Sequence, residues 1–336
     1  MEDAMDRYVL RKPHGKSFTY RYPNGRTVRN AGLKRWIRNL VIPPAWRDVK
    51  IELDRDAKVL ATGRDSEGRK QYVYNPDWTE EASQQKYQRI LRFGAQLETM
   101  RRVTGQHIQR RPIDETTVLA CMTRMLDDAF FRPGSGAYTR DHKTYGLTTL
   151  RAKHMDIKKD RVEFDYEGKS HQHQHRTVTD RQVREVLRKL EGMTGYELFD
   201  ITLPDGNRRK ITAQDLNHYI SDVMGEDFSA KDFRTWAGTV LMAVALDQLG
   251  PAADQKISKS NVVQAVKSVA EQLGNTPATC RSSYIHPNVI LHYESGRTLD
   301  YFRRQLKRYR GKLVSLDEKA TLNLLNQLVE QERKQV

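Results

Sequence analysis

The spacing of apolar and polar residues changes near residue 79, and this change predicts two domains. Before it, short alternating segments predict one β-hairpin around residues 23–25 and a second around residues 66–68. Between the hairpins, an amphipathic pattern predicts a helix over residues 31–40, which the following Pro43 and Pro44 would end. The first part of the chain is therefore expected to be a small β-rich domain.

From Thr79 onward, apolar residues mostly recur at helical spacing, and Thr79 itself is a candidate N-cap for a helix over residues 80–104. Residues 147–178 instead alternate, and a turn at Gly168 predicts a small antiparallel sheet there. The remaining predicted helices cover residues 114–131, 180–191, 212–224, 231–249, 258–273, 282–293 and 315–334. The pattern predicts an α+β fold, with a β-rich domain over residues 1–82 and a mainly helical domain over residues 83–336.

The net charge of the chain indicates which class of partner it binds. The chain has 336 residues, and 58 Lys and Arg against 43 Asp and Glu give a formal net charge of +15. An excess of this size favours a nucleic-acid partner, although a basic protein without such a partner remains the alternative. No segment approaches the roughly 18 apolar residues of a membrane span, and the N-terminus lacks the apolar core of a signal peptide. Two cysteines without CxxC spacing favour a reducing, cytoplasmic setting without a disulfide framework.

Cleavage of a nucleic-acid backbone would require three kinds of group. Fixed donors must stabilise the charged transition state, a nucleophile must attack in line, and an acid must protonate the departing oxygen. A metal ion can replace some of these groups, but it needs clustered carboxylates or histidines, and no such cluster stands out. The chain therefore directs attention to a site of Arg, Lys and Tyr that needs no metal or other cofactor.

Three alternating histidines, His171, His173 and His175, are the one pattern that resembles a metal site. On a strand they would point to one face, which is an arrangement that zinc could use. The alternative, which we favour, is an exposed second strand of a hairpin that lies near a phosphate backbone.

Five segments, in this order along the chain, resemble those of type IB DNA topoisomerases of the bacterial and poxvirus-like kind. They are GRDSEGRKQYVY (63–74), FFRPGSGAYTRDHKTYGLTTLRAKH (130–154), DYEGKS (165–170), KDFRTW (231–236) and LGNTPATCRSSY (273–284). IPPAWRDV (42–49) is also similar to that family, and the resemblance spans about residues 20–295. It implies the fold shared by this family and the tyrosine recombinases, with catalysis in the helical domain.

The resemblance also implies a catalytic set and a reaction. The set is Arg132, Lys169, Arg234, Asn275 and Tyr284. The tyrosine would attack the scissile phosphorus to form a 3′-phosphotyrosyl bond, with the lysine as general acid for the departing 5′ oxygen. The two arginines and the asparagine would hold the phosphate oxygens. Rotation about the intact strand would then relax positive and negative supercoils, and religation would need neither ATP nor metal.

For binding, the resemblance implies a monomer whose two domains clamp double-stranded DNA. The implied DNA contacts are Gln71, Tyr72 and Tyr74 in the first domain, and Tyr138 and Lys231 in the second. On a strand the two first-domain tyrosines would share one face, and the alternative for them is a pair that faces the core. This clamp would act on DNA in the cytoplasm, at the nucleoid.

Two places depart from the family pattern. Asn275 stands where many members of the wider family have histidine, so it cannot carry charge and should donate a weaker hydrogen bond. In the loop after Arg132, Pro133 stiffens the chain, while Ser135 and Ala137 replace longer polar side chains. We therefore expect that the base preference near the cleavage site can differ from that of relatives.

Two other functions remain as alternatives. A tyrosine recombinase would use the same Arg, Lys, Arg and Tyr chemistry, but recombinases typically have histidine where this chain has Lys231, and their N-terminal domain is helical. A DNA-compaction protein without enzymatic activity would bind DNA and leave no covalent adduct.

Overall fold

The computed structural model describes residues 7–15, 17–191, 196–203 and 205–327, without the side chains of Ala137 and Tyr138. Its internal contacts divide the chain into a smaller unit that ends at Tyr87 and a larger unit that begins at Gln88. The sequence pattern had suggested a boundary between residues 82 and 83. Within the described ranges, none of the helices combines the length and apolar character needed to cross a bilayer.

The smaller unit is built on one antiparallel sheet with the strand order β2-β1-β3-β4-β5. The strands are β1 (Tyr8–His14), β2 (Ser17–Arg21), β3 (Arg47–Glu52), β4 (Val59–Arg64) and β5 (Lys70–Tyr74), and helix α1 (Ala31–Asn39) follows β2. The side chain of Asn30 caps α1 by accepting from the Leu33 N–H at 2.9 Å. Apolar residues from the sheet and from α1 form the core, including Val9, Val28, Ile37, Val49, Ile51 and Ala61.

The hairpin predicted around residues 66–68 is confirmed, since β4 and β5 pair antiparallel across that turn. The hairpin predicted around residues 23–25 is confirmed in part. The turn closes an antiparallel bridge between Arg21 and Thr27 with backbone hydrogen bonds from Tyr22 to Arg26 and from Val28 to Tyr20, but strand β2 pairs along its length with β1. The pattern of apolar and polar residues did not predict strand β1, because Arg11 occupies an inward position on it. Its buried guanidinium donates to the carbonyls of Ile42, Pro43 and Trp46 at 3.1, 2.9 and 2.7 Å.

The larger unit is mainly helical, as predicted. Helix α2 (Pro76–His107) begins in the smaller unit and continues into the larger one. The helices that follow are α3 (Glu115–Ala129), α4 (Gly136–His142), α5 (Arg181–Leu190), α6 (Ala213–Met224), α7 (Ala230–Leu249), α8 (Gln255–Leu273), α9 (Pro277–Ser283), α10 (Pro287–Glu294), α11 (Leu299–Gln305) and α12 (Leu316–Asn326). Helix α7 lies at the centre of the unit, because α3, α6, α8, α10, α11 and α12 all pack against it.

The small antiparallel sheet predicted within residues 147–178 is confirmed. It contains β6 (Met155–Ile157), β7 (Val162–Glu167) and β8 (His173–Val178) in that order, and a short 3₁₀ turn, Lys169–His171, joins β7 to β8. A further pair, β9 (Asp200–Thr202) and β10 (Arg208–Lys210), was not predicted. With the separate sheet of the smaller unit, these elements confirm the α+β fold class.

Two helix predictions need correction, and two helices were missed. The helix expected over residues 282–293 is two helices, because α9 ends at Ser283 and Pro287 occupies the first turn of α10, where its ring cannot continue an earlier helix. Thr79 is not an N-cap, since α2 already begins at Pro76. Helices α4 and α11 were not predicted. The helix predicted over residues 315–334 begins at Leu316 as α12, and its last predicted residues lie outside the described ranges.

Gly94 allows α2 and α7 to pack closely, and this contact can be tested. A Cβ at residue 94 would lie 2.4 Å from the ring of Trp236, which is buried and cannot move aside. We expect Gly94→Ala to lower the free energy of unfolding by about 1–3 kcal/mol in urea titrations. Gly105→Ala in the same helix is the control, because its Cβ would meet only the end of Arg124 at 3.4 Å. Equal stability of the two variants would contradict this packing role.

Candidate active site

A cavity of about 310 Å³ in the larger unit brings together residues that are far apart in the sequence. Its lining includes four of the five predicted catalytic residues, Arg132, Lys169, Arg234 and Tyr284, together with Lys231. Pro133, Gly134, Ser135, Thr144 and Tyr145 complete the wall, so the loop that departs from the family pattern forms part of it. The fifth predicted residue, Asn275, is hydrogen-bonded to Arg132.

The C-terminal end of α8 organises this region. A helix leaves its last carbonyls without partners inside the helix, and these carbonyls form the negative end of the helix dipole. Here the carbonyl oxygens of Gln272, Leu273 and Gly274 accept hydrogen bonds from Arg176, Arg234 and Arg132, respectively, at 2.5, 2.8 and 2.6 Å. Three successive carbonyls are thus each bound by an arginine from a different part of the chain.

Gly274, the C-cap of α8, is required by this packing. Its φ of 62° is left-handed, a region that disfavours residues with a Cβ. A Cβ there would also lie 2.5 Å from Oε1 of Gln174 and 2.8 Å from Nη2 of Arg176. Two buried side chains of β8 therefore press directly against the end of the helix.

Arg234 is held in place beside the tyrosine. It lies near the start of α7, is only 2% exposed, and donates from Nη1 to the Phe130 carbonyl and from Nη2 to the Leu273 carbonyl. Its Cζ is 5.1 Å from the centre of the Tyr284 ring. Because both hydrogen bonds go to main-chain atoms, the direction of this guanidinium is fixed before any ligand binds.

Arg132 follows the end of α3, where Phe130 adopts a left-handed conformation with φ of 57°. Its Nη2 donates both to the Gly274 carbonyl and to Oδ1 of Asn275. Burial, reinforced by the positive charge of Arg234, lowers the pKa of Arg132 to about 10. The guanidinium therefore stays charged at neutral pH, in surroundings that would favour a nearby anion.

Asn275 has one satisfied and one unsatisfied end. Its Oδ1 accepts from Arg132, while its buried Nδ2 has no hydrogen-bond partner in the described part of the chain. A buried donor left unpaired costs about 1–3 kcal/mol. This donor is therefore unsatisfied in the described structure, although Asn275 is not among the residues that line the cavity.

Tyr284 occupies the short segment between α9 and α10, which explains why the helix expected there is interrupted. Its carbonyl accepts from Oγ1 of Thr239 at 3.3 Å. A Cβ on Gly238 would lie only 2.7 Å from that carbonyl and 3.0 Å from the tyrosine Cβ. Sequence reasoning missed Gly238 and Thr239, for which the only signal was a glycine inside a long helical pattern.

Lys169 is exposed on the 3₁₀ turn between β7 and β8. The prediction that three histidines share a strand face is wrong, because His171 belongs to this turn with φ of 55° and only His173 and His175 lie on β8. Both of these exposed rings are within 3.1–3.6 Å of Asp165. Across the described ranges, no group of three or more His, Cys, Asp or Glu side chains is arranged to hold a metal ion.

The residues predicted to contact DNA in the first domain lie on β5. Tyr72 and Tyr74 are 43% and 46% exposed and stack at 5.9 Å between ring centres, so the alternative of a core-facing pair is wrong. Gln71 is half-buried and donates to Asp65 at 2.8 Å. In the larger unit, Lys231 is exposed at the cavity, whereas the side chain of Tyr138 lies outside the described residues.

The stack continues to Trp78, which sequence reasoning missed. Its ring is 36% exposed and lies 6.1 Å from that of Tyr74. We call Tyr72, Tyr74 and Trp78 the aromatic row. A lysine accompanies each end, with Lys70 Nζ 5.4 Å from the Tyr72 ring and Lys58 Nζ 3.7 Å from the Trp78 ring. The only sequence signal was the position of a tryptophan four residues after Tyr74.

Comparison with known proteins gives two family matches. Residues 17–65 match the bacterial DNA topoisomerase IB N-terminal domain, and residues 75–313 match the catalytic core of eukaryotic DNA topoisomerase I. The second match alone covers more than half of the chain.

Similar proteins agree with these matches. DNA topoisomerase 1B of Acanthamoeba polyphaga mimivirus is 30% identical over 320 residues, which cover 90% of this chain and 95% of that protein. DNA topoisomerase I of monkeypox virus is 21% identical over 245 residues, covering 72% and 75%. DNA topoisomerase 1B of vaccinia virus (strain Copenhagen) is 21% identical over 248 residues, with the same coverage. With its larger unit matching the catalytic core and its smaller unit matching the N-terminal domain, the chain belongs to the type IB DNA topoisomerase family.

Proposed function

We propose that this DNA topoisomerase relaxes supercoiled DNA through a transient 3′-phosphotyrosyl bond on Tyr284. The observation that carries the proposal is the fixed Arg234 guanidinium, 5.1 Å from the Tyr284 ring, in a cavity that Arg132 and Lys169 also line. Neither arginine is neutralised by a carboxylate in the described hydrogen bonds, since both donate to carbonyls. The cavity therefore suits an anion next to a phenol.

A DNA phosphate is the anion that fits this site. The unpaired Nδ2 of Asn275 can donate to one non-bridging oxygen, which would remove the cost of leaving that buried donor unsatisfied. Arg132 uses only Nη2 for the hydrogen bonds found in the described residues, so the rest of its fork is available for a second oxygen. These donors would stabilise charge that develops on the phosphate oxygens during transfer.

The proposed cleavage is a transesterification. The Tyr284 oxygen attacks phosphorus, the bond from phosphorus to the 5′ oxygen breaks, and the phenolic proton passes to solvent. Lys169 donates a proton from Nζ to the departing oxygen, which leaves as a 5′ hydroxyl. After rotation of the free end, that hydroxyl attacks the phosphotyrosine and the strand is rejoined. The phosphodiester energy is kept in the tyrosyl bond, so the cycle needs no ATP.

Replacement of Tyr284 tests the nucleophile. Tyr284→Phe removes one oxygen and should abolish relaxation of plasmid DNA, while the dissociation constant for duplex DNA stays within about 3-fold of wild type, because lost interactions of 0.6 kcal/mol or less are expected. Relaxation is followed on gels with magnesium and ATP omitted, and the covalent adduct is trapped with denaturant. A phenylalanine variant that still relaxes DNA would exclude this tyrosine as the nucleophile.

Replacement of Lys169 tests the general acid. Lys169→Ala should slow single-turnover cleavage about 10²–10⁴-fold, which is the usual contribution of a general acid. When sulfur replaces the bridging 5′ oxygen, the 5′ thiolate leaves without protonation. The variant should therefore cleave this substrate nearly as fast as the wild-type enzyme does. An equal loss on the oxygen and sulfur substrates would remove Lys169 from this role.

We propose further that the protein acts as a monomer in which both units bind duplex DNA, as a clamp. In the smaller unit, the aromatic row offers exposed rings with a lysine at each end, a combination that suits contact with bases or sugars beside phosphates. Gln71 lies next to this row on β5, and in the larger unit Lys231 can add a phosphate contact at the cavity. The proposed place of action is the bacterial nucleoid, in the cytoplasm.

Substitutions of Trp78 and Lys58 separate the apolar from the ionic contribution to DNA binding. We expect Trp78→Ala, in the Tyr284→Phe background, to raise the dissociation constant at least about 5-fold without changing its salt dependence, because an aromatic contact contributes about 1 kcal/mol or more but releases no counterions. Lys58→Ala should instead reduce the slope of log K against log salt by about 0.9. Both are measured by fluorescence anisotropy of labelled duplex DNA.

An exposed aromatic residue elsewhere provides the matched control. Tyr301 on α11 is 46% exposed and has Arg297 5.5 Å from its ring, so Tyr301→Ala removes a comparable ring and cation pair. It should leave both the affinity and the salt slope unchanged. Equal effects of Trp78→Ala and Tyr301→Ala would contradict a specific role for the aromatic row.

A further inference from the structure

Arg176 is a buried cation that the proposed reaction does not use. It lies on β8, is 8% exposed, and is not part of the cavity wall. Burial lowers its pKa, and the positive charge of Arg234 lowers it further against an opposing effect of Tyr166. Burying a guanidinium without a carboxylate is costly, so its contacts need an explanation.

One contact of Arg176 reaches the phosphate-binding side of the site. Its Nη1 donates to the carbonyl of Gln272 at 2.5 Å, in the last turn of α8. Asn275 follows three residues later, and the Gly274 carbonyl in between is bound by Arg132. Arg176 therefore holds the same helix end that carries the proposed phosphate donors.

Besides a side-chain hydrogen bond with Tyr166, Arg176 makes a contact that leads to the turn carrying Lys169. Nη2 donates to Oε1 of Gln174 at 2.7 Å, and the Gln174 side chain packs so closely on Gly168 that a Cβ there would lie 2.7 Å from Cγ. Gly168 immediately precedes Lys169. A continuous series of contacts thus leads from the end of α8 through Arg176 and Gln174 to the turn.

The turn needs this support because the Lys169 side chain is not held by contacts of its own. In the described part of the chain, no hydrogen bond or ion pair holds its Nζ, so the backbone of the turn sets where the ammonium group lies. That backbone is held by hydrogen bonds from the Gly168 N–H to the Gln172 carbonyl and from the Tyr145 N–H to the Glu167 carbonyl, both 2.8 Å. The packing of Gln174 on Gly168 is what joins it to α8.

We propose that Arg176 is a positioning residue that fixes the Lys169 turn against the C-terminal end of α8, and so aligns the general acid with the phosphate-binding residues. The inference rests on the acid role proposed for Lys169. It means that loss of Arg176 impairs protonation of the 5′ oxygen more than phosphate binding or attack by the tyrosine. A structural role alone would impair these steps together.

The leaving group distinguishes the two roles. On a duplex with a cleavage site mapped for the wild-type enzyme, Arg176→Met should slow single-turnover cleavage about 10–100-fold, part of the 10²–10⁴-fold contribution of a general acid. On the same duplex with sulfur as the bridging atom, the loss should be less than about 3-fold, since that substrate needs no general acid. An equal loss on both substrates, or no loss on the oxygen substrate, would overturn the inference.

Two further variants locate the effect. Arg176→Lys keeps the charge but cannot reach both acceptors at once. Its cleavage rate on the oxygen substrate should therefore fall less than that of Arg176→Met, and the decrease should disappear on the sulfur substrate. Gln174→Met breaks the link to the turn while leaving the bond from Arg176 to Gln272, and should show the same dependence on the leaving group. Should Arg176→Met fail to fold, Gln174→Met decides the question by the same criteria.

A stability control and a double variant complete the test. Arg124→Met removes a partly buried arginine that pairs with Asp180 and should lower the melting temperature without slowing either substrate. Combining Arg176→Met with Lys169→Ala should slow the oxygen substrate no more than Lys169→Ala alone, because both changes act on one step. Additive losses would refute the inference.

Lys169→Ala measured alone separates the two hypotheses. If it is not rescued by sulfur, the proposed acid role is wrong. If it is rescued but Arg176→Met and Gln174→Met are not, only the role of Arg176 fails.

Discussion

The end of helix α8 is the constraint on which the active region depends. Its last carbonyls carry the negative end of the helix dipole, and those of Gln272, Leu273 and Gly274 are each bound by an arginine. The three arginines come from β8, from α7 and from the loop after α3. Like charges this close repel one another, and the carbonyls are what make their convergence possible. The loop after α3 carries Arg132, α7 carries Arg234, and the turn with Lys169 precedes β8, so binding the helix end also brings these proposed catalytic groups together.

In this assembly, some charged and polar groups are left without favourable partners among the described residues. The pKa of Arg132 is lowered by burial and by Arg234, a buried nitrogen of Arg234 has no hydrogen-bond partner in the described chain, and neither does Nδ2 of Asn275. Each feature costs stability in the free protein, and an anion beside Arg132 would offset the lowered pKa of that guanidinium. A site that is costly to keep empty and favourable to fill with an anion is preorganised for charge on transferring oxygens.

Where sequence patterns failed, the cause was a particular tertiary contact. Strand β1 was missed because Arg11 points inward to bind three carbonyls, which breaks the apolar alternation that indicates a strand. The single helix expected over residues 282–293 was wrong because helical periodicity continues across the break at Tyr284. The histidine pattern was misread because His171 lies in a turn of left-handed backbone before β8 begins. In each case a local pattern was overridden by geometry that the pattern does not encode.

The sequence by itself determined the α+β fold class, most of the helices, one hairpin of the smaller unit, the small sheet and the order of the family motifs, because these depend on local periodicity and on residue identity. Only the tertiary structure decided which groups meet. The partners of the α8 carbonyls, the close approach of Gly238 to Tyr284, and the extension of the aromatic row to Trp78 all join distant or differently folded segments. A hydrogen bond to a main-chain carbonyl can be made by any donor that reaches it, so it leaves no signature at the accepting residue. The role of Arg176 could therefore be seen only once β8 and α8 were packed together.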